Sequence, residues 1–170
     1  MAALLAEASP EIAHAARLAA LTGMRQGDLL KVTWGQISDL AIERKTGKSR
    51  GRRRILVAVI PALRTSLDEI PRRAETVLTN SRSQPWRGFG SSWTKAMNDT
   101  WPDGHPEHNL HFHDLRSTAA TNFYRANFTI REIAEILGRK EERIERLTDR
   151  YVKRDEILRD RIRRFSGAKT

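Results

Sequence analysis

The chain has 170 residues and no cysteine, with 31 Lys and Arg against 21 Asp and Glu for a formal charge of +10. That length suits one domain with a substantial core, and the missing thiols exclude disulfides, thiolate catalysis and Cys-based zinc sites while fitting a cytoplasmic setting. The cationic surplus calls for a polyanion, and because no stretch approaches the roughly 18 apolar residues of a membrane span and no signal-like segment opens the chain, nucleic acid is favoured over a membrane surface.

Pro10 to Thr22 is rich in strong helix formers and apolar around most of its circumference, so a buried helix is expected, stopped by Gly23. Arg25 follows on a tight connection, and Q-G-D-L-L-K-V-T-W predicts a second short helix with Asp28 in its first turn and Leu29, Leu30 and Val32 inward. Leu40 to Lys45 and Arg54 to Ile60 predict two strands of a hairpin. Its connection, T-G-K-S-R-G-R-R, places Lys48, Arg50 and Arg53 where phosphates could be met. A nucleotide P-loop does not fit, because Ile42 stands where the first glycine belongs and a strand follows in place of a helix.

Pro61 to Ile70 predicts a helix with Leu63, Leu67 and Ile70 on one face, ended by Pro71. A short strand at Thr76 to Leu78 and a turn-rich segment lead to a helix from about Ser91, in which Trp93, Met97 and Trp101 form a core stripe. Pro102 to Asn109 is expected to be loop. His105, His108, His111 and His113 crowd this region, yet no established ligand pattern supports a metal there.

The run from Leu110 to Ala126 begins with H-D-L-R. Leu115, Ala119 and Phe123 recur every four residues as an apolar helix face, while His113 and Arg116, three apart at the helix start, project together from one side. A proton carrier beside a permanent cation at a helix N-terminus suits an anionic oxygen. Thr129 and Glu132 then predict a capping box, Gly138 a helix end with Arg139 just past it, and Glu141 to Thr148 a further turn or two with Ile144 and Leu147 inward. Tyr151 lies among Arg150, Lys153 and Arg154, cations that favour its phenolate. Asp155 to Phe165 predicts an amphipathic helix through Ile157, Leu158, Ile162 and Phe165.

Taken in order, T-G-M-R-Q-G-D-L-L, K-T-G-K, H-F-H-D-L-R-S-T-A-A-T, I-A-E-I-L-G-R and R-Y-V-K-R resemble the catalytic domain of the tyrosine recombinases, the phage-integrase family, over nearly the whole chain. The resemblance implies a mainly helical α+β domain with a small antiparallel sheet. It implies that residues 1–170 form a single catalytic domain, without the N-terminal helical, core-binding domain that members usually carry. By position it implies that Arg25 and Arg116 clamp the scissile phosphate, that His113 manages protons, and that Lys45 protonates the leaving 5′ oxygen. Tyr151 matches the nucleophile that forms a 3′-phosphotyrosyl bond. Arg139 stands where the family usually has His or Trp, a departure that adds charge to the site. The implied partner is double-stranded DNA, with a monomer in isolation and, in the full-length enzyme, a tetramer on DNA held through the C-terminal helix, the alternative being that this helix folds back on its own domain; the implied location is the cytoplasm, with the nucleoid.

The chemistry of the residues agrees. The transition state of phosphodiester attack gathers charge on the oxygens, which two fixed, bidentate guanidiniums stabilise. A free tyrosine titrates near roughly 10 and needs cations and a proton acceptor to attack. Lysine on a hairpin is a credible general acid. Neither a metal nor another cofactor is expected. A type IB topoisomerase-like reaction would use the same groups, and a DNA-binding module that has lost its chemistry is the alternative.

Overall fold

The computed structural model describes residues 2–45, 54–151 and 162. Helices α1 (Ala2–Glu7), α2 (Pro10–Thr22) and α3 (Gln26–Leu29) precede a hairpin of strands β1 (Ala41–Lys45) and β2 (Arg54–Ala58). Five further helices follow: α4 (Pro61–Asp68), α5 (Phe89–Thr100), α6 (Leu115–Arg125), α7 (Ile130–Leu137) and α8 (Glu141–Tyr151). The domain is mainly helical with one antiparallel two-stranded sheet, as expected.

Helix α2 is its centre. Ser9 caps it by accepting from the Ile12 N–H, Pro10 enters at the first turn, and Gly23 closes it in the left-handed region at φ +60°. Ala15, Ala16 and Ala19 are wholly buried, as are Ala119 and Ala120 of α6, and these small residues let α2 and α6 approach closely. Helix α2 also packs against α1, α4 and α5, and seven of its 13 residues are buried.

The hairpin pairs Ala41 with Ala58 through Lys45 with Arg54. Its inner pair, Ile42 and Val57, is buried while Glu43 and Leu56 face outward, the alternation that fixes register. Leu40 lies outside the strand, in a turn held by the Ser38 hydroxyl, and is exposed. The strand expected at Thr76 to Leu78 is instead an isolated bridge between Thr33 and Thr76: the segment crosses the chain too briefly to build a ladder, although Val77 and Leu78 are buried. Helix α1 was not anticipated; Leu4 is buried in the core there and Leu5 packs against it. Lys48, Arg50, Arg53 and the helix expected at Asp155 to Phe165, apart from the helical, exposed Ile162, lie outside the described residues. Among the described residues no helix is long and apolar enough to cross a membrane.

Candidate phosphate-binding site

The H-D-L-R segment is set by the aromatic core beneath it. Phe112 packs edge-on against Phe89 and Trp93, with ring centroids 4.9 and 5.0 Å apart, and the Trp93 indole N–H donates to the Leu110 carbonyl at 3.2 Å. Phe112 to Asp114 form a 3-10 turn, and α6 begins only at Leu115. The expected stripe is present: Leu115, Ala119 and Phe123 are buried. His113 therefore stands exposed just before the helix, while Arg116, in its first turn, is 3% exposed.

Arg116 is bound in an unusual way for a buried cation. One terminal nitrogen donates to the Gly23 carbonyl and the other to the Leu137 carbonyl, both at 2.5 Å, while its Nε–H has no acceptor among the described residues. Gly23 precedes Arg25 by two residues, and Leu137 precedes Arg139 by two. The fork of one guanidinium thus joins the α2–α3 connection to the end of α7. A methyl group on Gly23 would run into the Leu137 side chain and stand 2.9 Å from the Ala119 Cβ, so glycine there also permits the approach of α2, α6 and α7.

Five guanidiniums line one cavity. Its volume is about 590 Å³, and it is lined by Arg25, His113, Arg116, Gly138, Arg139, Lys140, Glu142, Arg143 and Arg146. Burial, then Arg139 and Arg25, push the Arg116 pKa down to about 10, against the buried carboxylate of Asp28, which favours its charged form. Arg139 is likewise held below the ordinary arginine range by burial, Arg143 and Arg25. Its guanidinium lies 3.1 Å from the Nε2 of His113. Cations placed this close to one another favour an oxyanion as guest. Glu142 lines the cavity, but among the described residues it forms no ion pair with these cations.

Of the residues singled out from the sequence, Arg25, His113, Arg116 and Arg139 meet here. Lys45, the last residue of β1, is exposed and does not line the cavity. Tyr151 is the last residue of α8, and its side chain lies outside the described part of the structure. The sequence reading missed Lys140, Arg143, Arg146 and the counter-charge of Asp28. The R-x-x-R spacing at Arg143 and Arg146, which aligns two side chains on a helix, was the available signal. The clustered histidines go separate ways: His105 stacks on Trp101, and His108 bonds the Trp101 carbonyl at 2.8 Å and faces Asp103.

Fold and cavity define a mainly helical domain with a buried arginine and a pocket lined mainly by cations. A family model described as the phage integrase family matches residues 1–156, and the chain belongs to that family. Its fold is that of the tyrosine recombinase catalytic domain. A crystal structure of XerA recombinase superposes with a TM-score of 0.68 at 18% identity, over 99% of this chain and 63% of that one. A lambda integrase dimer bound to a COC′ core site gives 0.65 at 23% identity, over 89% of this chain and 56% of that one. The lambda integrase catalytic core gives 0.64 at 22% identity, over 81% and 86%. The chain spans 56% and 47% of the two DNA-bound lambda integrase dimers it matches, about half their length. No curated protein sequence matches it.

Proposed function

We propose that the chain is the catalytic domain of a site-specific DNA recombinase or integrase, which cleaves and rejoins strands through a 3′-phosphotyrosyl intermediate. The observation that carries this is the buried Arg116, whose Nε–H lacks an acceptor among the described residues while Arg25 and Arg139 line the same cavity. An unsatisfied buried donor is costly, and a phosphate oxygen would satisfy it. In this reading Arg25, Arg116 and Arg139 hold the scissile phosphate and His113 accepts or returns protons. Tyr151 attacks phosphorus through its hydroxyl oxygen as the bond to the 5′ oxygen breaks, and Lys45 donates the proton that the leaving oxygen takes. A second DNA hydroxyl reverses the exchange, so the phosphodiester energy is conserved. Lys48, Arg50 and Arg53 would meet the backbone of double-stranded DNA. Residues 1–170 act as one domain, monomeric alone and assembling as a tetramer on DNA through the C-terminal helix, as part of an enzyme working in the cytoplasm.

The test is incubation with a nicked suicide duplex carrying the genomic sequence that flanks the gene. A covalent protein–DNA adduct is expected, and it should vanish in Tyr151→Phe. DNA binding without any adduct would instead support a non-catalytic binding module. The Arg139–His113 contact favours that second reading, because it engages the very nitrogen a proton acceptor would use.

A further inference from the structure

A single phosphate leaves most of the cavity empty. Arg25, Arg116 and Arg139 would serve that one phosphate, and the same cavity is also lined by the cations Lys140, Arg143 and Arg146. Arg143 and Arg146 are three residues apart on α8, which puts them side by side on one helix face. Both are exposed, and Ile144, wholly buried, turns the other face of the helix into the core. Among the described residues neither guanidinium forms an ion pair, whereas Arg17, Arg64 and Arg131 each have a carboxylate partner.

We propose that Arg143 and Arg146, with Lys140, form a second phosphate subsite that takes the phosphate adjoining the scissile one on the same DNA strand. This rests on the DNA reading above and extends it to a group one nucleotide away. The shared chemistry is two phosphates separated by one nucleoside. A strand is its source rather than a free nucleotide, because among the described residues, apart from the His113 ring, the cavity lining is glycine and charged side chains, with no apolar or aromatic platform for a base.

Thymidine 3′,5′-bisphosphate carries two phosphates at this separation and needs no knowledge of the target sequence. In titrations of the whole chain at low salt it should bind about tenfold more tightly than thymidine 3′- or 5′-monophosphate, the gain of one additional charge-assisted contact. The double variant Arg143→Gln/Arg146→Gln should erase that advantage and leave monophosphate binding in place. Random-sequence duplex DNA should displace the bisphosphate, and the slope of log affinity for the duplex against log salt should become shallower by roughly one unit or more in the variant. Equal affinity for bisphosphate and monophosphate overturns the second subsite alone. So does a variant that weakens both ligands equally. A duplex that fails to displace the bisphosphate overturns the DNA reading, and this proposal with it. Failure of the folded protein to bind even the monophosphate overturns the underlying phosphate site, and this proposal with it.

Discussion

Arg139 donates a hydrogen bond to the Nε2 of His113 at 3.1 Å, and since a guanidinium has no acceptor, the histidine must present a lone pair there and keep its proton on Nδ1. His113 is thus neutral in this arrangement. Partial burial, then Arg116 and Arg139, hold its pKa below the ordinary 6.5, with Arg143 acting in the same direction and Asp114 opposing them. Followed by NMR, the imidazole should titrate with a midpoint below 6.5, and Arg139→Gln should move that midpoint upward. The folded chain binds fewer protons at this site than the unfolded one. His113 therefore contributes stability that is present above pH 6.5 and is lost as pH falls through the folded midpoint. An unchanged midpoint in Arg139→Gln would show that the arginine does not set the protonation of the histidine.

Replacing Arg116 separates its charge from its geometry. Lysine retains the cation but cannot reach the Gly23 and Leu137 carbonyls with a planar fork, and methionine reaches neither. Urea unfolding should show a loss of about 1–3 kcal/mol for Arg116→Lys, from one orphaned carbonyl. For Arg116→Met the loss should be on the order of 2–4 kcal/mol, from two. Equal stability of all three proteins would mean that the carbonyls find other donors.

Two glycines in the left-handed region give an internal comparison. Gly88, at φ +72°, opens onto free space, so Gly88→Ala should cost only the backbone term of about 1–2 kcal/mol. Gly23→Ala adds a collision with Leu137 and Ala119, and the melting temperature should fall further. Matching losses at the two positions would contradict the close approach of α2, α6 and α7.

Asp28 works against the pocket it supports. Its buried carboxylate favours the charged form of Arg116, yet it also repels an incoming anion. Asp28→Asn should lower the unfolding free energy and at the same time strengthen inorganic phosphate binding, both measurable on one preparation. A variant that weakens phosphate binding while folding normally would reverse this assignment.

The helices, their stops and the apolar stripes were legible because they depend on neighbours in sequence. The Thr129–Glu132 box formed as expected, with the carboxylate accepting from the Thr129 N–H at 2.7 Å, and Gly138 ended α7 at φ +59°. Arg25, His113, Arg116 and Arg139 were identifiable as residues, and the cavity brings them together. How they are held was not legible. The acceptors of Arg116 are backbone carbonyls, 93 and 21 residues away, and a carbonyl has no letter in a sequence. The isolated bridge at Thr76 looked like a strand for a related reason, since β-branched residues declare a preference for extension but not the presence of a partner.

The two equal intervals, Gly23 to Arg25 and Leu137 to Arg139, make one rigid side chain the spacer of the site. Because both are measured from the same guanidinium, adding or removing a residue in either would rotate an arginine out of the cavity without disturbing any helix. The Pro102 to Asn109 segment bears no such registration, and the chain can change length there at little cost to the site. The protein thus has a few positions where length is as strictly specified as chemistry, and substitution scans alone would not reveal them.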